Sequence, residues 1–223
     1  MAIQYPVYNF PTFSVWKQLF HVPGAAADGG YTSGGARITS PEPGGFAALE
    51  IQPALQLNEF SYPLCSWLMS KTNGEILRVR LAPTPQIASY VAGTVPWDTD
   101  QPWNNNEPWI GDYTASYSAT ALPGSNVFKV DMALLGPILK QGHVIGHMNS
   151  CYKIDDISYD NTGLATITVK PPIRKSVTIG DPVYFRPWFT GMITNPNDMR
   201  QTYDAEMNGA IQLGNIILSE VVL

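Results

Sequence analysis

A chain of 223 residues has room for one large domain, or for a domain with a smaller one inserted, and folding buries enough surface for a core without metal or disulfide staples. Its net charge of −5, with no Lys/Arg run, lacks the basic footprint of a dedicated nucleic-acid binder. Charged side chains make up only 14% against roughly 25% in a typical soluble domain, and aromatics reach 11%, which implies a surface largely buried against other subunits, or else a neutral Ser, Thr and Asn surface. Residues 1–10 have neither a basic flank nor an apolar signal-peptide core, and no apolar run approaches the ~18 residues of a membrane span. A soluble product of cytoplasmic synthesis, with no membrane insertion, is the expectation.

Nineteen Gly and nineteen Pro are spread along the whole sequence, which cuts it into short segments, as a mainly-β fold requires. The first predicted strand is 46–52. A helix is predicted over 63–71, because Pro63 suits the first helical turn, Leu64, Trp67 and Leu68 recur at helical spacing, and Asn73-Gly74 supplies a left-handed stop. The alternation in 75–82 places Ile76, Arg78 and Arg80 on one face of a strand and Leu77, Val79 and Leu81 on the other. The two arginines are predicted to be interfacial or lumenal. Segment 95–112 repeats a Pro-Trp pair at Trp97, Trp103 and Trp109, with polar residues between, and holds half of the six tryptophans. Stiff backbone and large amphipathic rings make it a predicted assembly contact.

Further strands are predicted at 127–132, 152–158, 164–169, 183–186 and 215–222, with Asp160-Asn161-Thr162-Gly163 as the turn of a hairpin. The second run of Gly-bounded strands after Asp112 and the return to an apolar strand near the C-terminus predict two domains. Residues 1–112 plus 186–223 form a β-sandwich with one short helix, and 113–185 form an inserted small β-barrel. Cys65 and Cys151 lie far apart without a CxxC spacing, so both are expected as buried, reduced thiols.

Candidate chemistry is thin. His143 and His147 stand four apart, as zinc ligands on a helix do, but Gly142 and Gly146 place them in a strand or turn, and no Glu follows the first. Asp98, Asp100, Asn104 and Glu107 offer oxygens without the Gly and Glu of a calcium hand. A strand would send Asp155 and Asp156 to opposite faces, so they form no carboxylate dyad, and nothing marks a base beside Asp198 or Glu206. GxSxG, GxGxxG and Walker motifs are absent from the sequence. The expectation is no enzyme, no cofactor and no metal.

Four stretches together resemble the distal tail, minor tail or tail-hub proteins of long-tailed (siphovirus-like) bacteriophages. They are SPEPGGFAALEI at 40–51 with SWLMSK at 66–71, Asn73-Gly74 and the strand at 76–83; LPGSNVFKVD at 122–131; LKQGH at 139–143 leading into CYKI at 151–154; and GLATITVKPPIR at 163–174 closed by GDPV at 180–183. The Pro-Trp segment and residues 194–213 depart from that pattern. The resemblance implies a structural virion protein of the tail tip, a homo-oligomeric ring, hexameric or trimeric, between the tail tube protein and the hub, whose lumen passes DNA as cargo. Two other readings remain beside it: a carbohydrate-binding module that stacks host glycans on Trp97, Trp103 and Trp109, and a wall hydrolase, for which no paired acids or zinc set is legible.

Overall fold

The computed structural model describes residues 6–11, 15–22, 25–31, 37–42, 45–54, 61–82, 115–199, 201–204 and 210–222. The protein is mainly β, with one α-helix among the described residues. It divides into two compact units, Met1–Leu81 with Trp188–Leu223, and Ala82–Pro187.

In chain order the first unit begins with β1 (Val7–Asn9), β2 (Val15–His21), β3 (Ala25–Tyr31), β4 (Arg37–Glu42), β5 (Ala48–Pro53), α1 (Ser61–Met69) and β6 (Ile76–Arg80). The second unit supplies β7 (Ala115–Tyr117), β8 (Val127–Asp131), β9 (Val144–His147), β10 (Ser150–Tyr159), β11 (Leu164–Lys170) and β12 (Pro182–Val183). The chain then returns to the first unit through β13 (Trp188–Ile193), a 3-10 turn at Pro196–Asp198, β14 (Gln201–Asp204), β15 (Ala210–Leu213) and β16 (Ile216–Glu220).

The first unit is built on a six-stranded sheet of order β1-β6-β13-β16-β5-β2, antiparallel except for the β1–β6 pair, with β3–β4 and β14–β15 as separate two-stranded sheets. Strands β6 and β13 are hydrogen-bonded neighbours in which Trp188 faces Arg80, so the chain leaves the sheet and re-enters it at adjacent positions. One face carries Leu49, Ile51, Leu77, Val79, Phe189, Ile216 and Leu218, all buried, as period-2 alternation demands of a face turned to a core. Tyr8 is the register partner of Leu77 and meets Trp67 edge-on at 6.1 Å, which puts α1 on this face. Cys65 and Leu68 are the fully buried anchors of the helix, while Leu64 and Trp67 are only half-buried. The helix starts at Ser61, two residues before the Pro63 read as its first position, and ends at Met69. The last turn is closed by the Ser70 and Lys71 N–H groups on the Ser66 and Leu68 carbonyls, so the helix stops before Asn73-Gly74, where Gly74 at φ +93° turns the chain toward β6.

The second unit is a six-stranded antiparallel sheet of order β12-β7-β8-β11-β10-β9 that curls until its two edges meet. Gly146 at the β9 edge and Tyr184 just after β12 exchange backbone hydrogen bonds of 2.8 and 3.0 Å, so the sheet is nearly a closed barrel. Closure brings the edges so near that a Cβ on Gly146 would collide with the Cβ of Pro187. The interior holds an aromatic stack, Tyr117 to Phe128 at 4.9 Å and Phe128 to Tyr152 at 5.2 Å, and Ile145, Ile154, Ile167 and Val169 pack in the same core. Each such ring contributes about 1.5–3 kcal/mol by leaving water. The hairpin read at 152–158 and 164–169 is β10–β11, with Asp160 capping its own turn. Its one departure from the alternation read in the sequence is a bulge between Ile154 and Asp156. That extra residue leaves Asp155 and Asp156 both exposed instead of one in and one out. Both cysteines are buried and neither forms a disulfide.

Candidate assembly surface

The face of the first sheet opposite α1 contains the two arginines singled out from the sequence. The β6–β13 register sets Arg80 against Trp188, Arg78 against Thr190 and Ile76 against Met192. The Trp188 indole lies under both guanidinium groups, 4.3 Å from Arg78 and 5.7 Å from Arg80. Stacking of this kind holds a planar cation flat and leaves its edge for a carboxylate or phosphate. Arg80 is exposed, whereas Arg78 is half-buried and its Nε lacks a hydrogen-bond partner. Thr190, 2% exposed, likewise has an unpartnered Oγ1. Further along the same face Leu19 and Met192 remain exposed beside Lys17 and Gln52, half-buried Glu50 stands opposite Leu19, and Ile76 and Thr190 are buried, so the face is of mixed polarity and charge and open only in part.

In the second unit, antiparallel pairing brings to one end of the barrel the connections β7–β8, β9–β10 and β11–β12. His147 closes β9 at that end and is 2% exposed. Its Nε2 stands 3.8 Å from Asp181 Oδ2, too far for a hydrogen bond; neither ring nitrogen makes a hydrogen bond of good geometry, and the Ser176 backbone is the nearby polar group that favours the protonated ring. Tyr117 packs edge-on against the imidazole at 5.4 Å and its hydroxyl donates to the Gly146 carbonyl at 3.4 Å. Burial pushes the Tyr117 phenol above its ordinary range, and the nearby Tyr152 and Asp181 add to it. Burial likewise holds His147 below its ordinary value, with Asp181 pulling the other way. The Thr178 backbone N–H, bonded to Asp181 at 2.8 Å, and the Thr178 hydroxyl lower that carboxyl.

The opposite end of the barrel has an open depression of about 340 Å³ between Met132, Ala133, Gly136, Pro137 and the 159–163 turn. The polar side chains of Tyr159, Asp160 and Thr162 there are already engaged. Asp160 Oδ1 accepts from the Thr162 and Leu164 backbone N–H groups and the Thr162 hydroxyl, which lower its pKa, and the Tyr159 hydroxyl donates to the Leu139 carbonyl. The acidic pair is engaged as well, Asp155 with Lys170 at 3.0 Å and Asp156 with Gln141 Nε2 at 2.9 Å. Among the described residues no three His, Cys, Asp or Glu side chains gather as metal ligands.

Of the residues expected at an assembly contact, the structure brings Arg78 and Arg80 together on β6. Trp97, Trp103 and Trp109 lie outside the described residues, as do the candidate calcium ligands Asp98, Asp100, Asn104 and Glu107. His143 and His147 fall in a turn and a strand, not a helix. Sequence reasoning missed Trp188, whose only signal was its place two residues after Arg186 in an aromatic run, and it missed the link from His147 to Asp181, which pairs positions 34 residues apart. No family model matches the chain, and no curated protein matches it. Among the described residues no helix is long and apolar enough to cross a membrane.

Proposed function

We propose that this chain is a structural virion protein of a long-tailed phage, a subunit of a homo-oligomeric ring at the tail tip between the tail tube and the hub, with a lumen through which DNA passes. The observation that carries the reading is the Arg78–Trp188–Arg80 ladder: a sheet face opposite the core keeps Arg80, Leu19 and Met192 exposed, with the half-buried Arg78 stacked on Trp188 beside them, as a subunit surface that meets a neighbour does. The low charge content and the tail-protein resemblance of the sequence point the same way. So does the topology, because a small barrel strung between two adjacent strands adds a second surface without disturbing the sheet that carries the first. A structural role fits the carboxylates of Asp155, Asp156, Asp160 and Asp181, each tied to a neighbouring group of the fold.

Purified protein examined by light scattering and negative-stain microscopy is expected to form a symmetric ring with a central opening, and antibody against it should label the tail tip of virions. A monomer at all concentrations that instead binds oligosaccharide would overturn the reading in favour of a glycan-binding module.

A further inference from the structure

The registers of β1 with β6 and of β6 with β13 set Asn9, Arg78 and Thr190 in one row across three strands, and directly opposite residues present their side chains to the same face. Each of the three can donate hydrogen bonds, and none is acidic. The Arg78 Nε is buried without an acceptor, and so is the Oγ1 of Thr190, a residue only 2% exposed. Buried donors are almost always satisfied, so two orphans on directly paired positions call for an acceptor that the fold itself does not supply.

A carboxylate is the acceptor that suits this row. Trp188 lies 4.3 Å from the Arg78 guanidinium and fixes its plane, and a guanidinium held flat offers its edge to two oxygens at once. Arg80 adds a second cation over the same indole, and exposed Asn9 adds an amide on the other side of Arg78. No ion pair among the described residues involves Arg78. Glu50, the acidic residue that shares this face, stands on β5, three strand steps or about 14 Å across the sheet. Nucleic-acid phosphate is the poorer match, because two cations over one indole make no surface that tracks a backbone and the sequence has no Lys/Arg run to extend it.

The same unit carries a carboxylate in the complementary condition. Asp198, on the 3-10 turn after β13, is exposed, and among the described residues its side chain makes no hydrogen bond or ion pair, whereas Asp131, Asp155, Asp156 and Asp160, also exposed, are each tied to the fold. The turn that presents it is held firmly. Met199 is fully buried, the Asp198 N–H donates to the Asn195 carbonyl at 3.0 Å, and the Asn195 side chain donates to the Asn215 carbonyl at 2.9 Å and accepts from the Ile217 N–H at 2.7 Å. A charge on a fixed turn loses little entropy on docking. Asp198 follows the Ile193 end of β13, away from Trp188, so the donor row and the carboxylate occupy different places on one subunit. A contact between unlike places on identical copies is head-to-tail, the kind that closes into a ring. We infer that the Asn9–Arg78–Thr190 row is a carboxylate-binding site that takes Asp198 of a second copy of this chain. The inference rests on the self-assembly reading above and supplies the chemistry of one contact.

The test exchanges the two charges in the full-length protein, Arg78→Glu and Asp198→Lys singly and together, followed by sedimentation velocity over a concentration series and by thermal unfolding. Each single substitution should raise the concentration needed for assembly about tenfold or more, and the double variant should return to within about threefold of the wild type. Asp198 is exposed, so Asp198→Lys should leave the unfolding midpoint unchanged. Packing lost at Trp188 is not restored by a change at Asp198, so recovery in the double variant separates a charge contact from a folding defect. Assembly untouched by Asp198→Lys, or a double variant no better than Arg78→Glu, would overturn this inference and leave the ring reading standing. A wild-type monomer at every concentration would overturn both. Loss of duplex-DNA binding in Arg78→Glu, with the oligomer intact, would assign the row to phosphate and overturn the inference as well.

Discussion

At His147 burial and a neighbouring carboxylate pull in opposite directions, and the balance sets how stability depends on pH. Burial holds the imidazole below its ordinary value of 6.5 and Lys175 adds to this, while Asp181 opposes it. The folded protein therefore keeps the ring neutral, whereas the unfolded chain takes up a proton near the ordinary value. The resulting stability is fully present above about pH 6.5 and is lost as pH falls through the depressed folded value. His143, lowered by burial and by Lys140, contributes with the same sign. The denaturation midpoint is thus expected to fall between about pH 7 and 5, and His147→Phe should flatten part of that slope. An unchanged slope in the variant would exclude His147 as a source. The two arginines divide their roles in a similarly readable way. Arg78 packs on Trp188 within its own sheet, so Arg78→Ala should lower stability by about 0.5–1 kcal/mol as well as weaken assembly. Exposed Arg80 stacks at the longer distance, so Arg80→Ala should weaken assembly while leaving the melting temperature within about 2 °C. Equal effects on assembly and stability for both would refute this division.

Among the elements, the β9 edge of the barrel is the place where one atom decides closure. Gly146 exchanges two backbone hydrogen bonds with Tyr184, and a Cβ there would run into the Pro187 ring and lie 3.1 Å from the Ser150 carbonyl oxygen. The proline ring cannot swing away, so Gly146→Ala should destabilise the protein by roughly 1–3 kcal/mol, read from urea unfolding. A neutral outcome would mean that the edges part at little cost. That seam was illegible in the sequence, because Gly146 and Tyr184 are far apart along the chain and a glycine beside a histidine reads as a turn. What was legible were elements whose signal is local. Strands β5, β6, β8, β11 and β16 show β-branched or alternating patterns and appear within two residues of their expected ends. The α1 helix appears where Leu64, Trp67 and Leu68 recur at helical spacing, but it ends at Met69, short of the Asn73-Gly74 expected to stop it. By contrast β13, with Gly191 inside it, has too little pattern of its own. It exists because Phe189 faces the core and Gly191 lets β16 approach, a Cβ there standing only 2.6 Å from the Ser219 carbonyl oxygen. Short strands such as β1, β7 and β9 are likewise defined by their partners more than by their residues. At the candidate site the arginines were legible from alternation on one strand, but the tryptophan that stacks on them belongs to a strand more than a hundred residues later.

For the whole molecule, solubility turns on the segment at 95–112, which lies outside the described residues. Its sequence contains Trp97, Trp103 and Trp109, and from 83 to 114 it has four acidic residues and no Lys or Arg. Burying a large apolar side chain is worth about 1.5–3 kcal/mol, and three indoles left wet would forfeit that three times over. By sequence alone, the polar residues between the tryptophans argue against the protein's own core as cover for all three. On the proposed ring reading the cover is a neighbouring copy, since tryptophan is enriched among the residues that dominate interface energies. Replacing Trp103 and Trp109 by Ala should therefore weaken self-assembly by about tenfold or more while the monomer still folds cooperatively. Light scattering reports the first and a thermal melt the second. Loss of folding with no separable assembly defect would instead place these side chains in the protein's own packing. Assembly that survives together with lost oligosaccharide binding would assign them to a glycan.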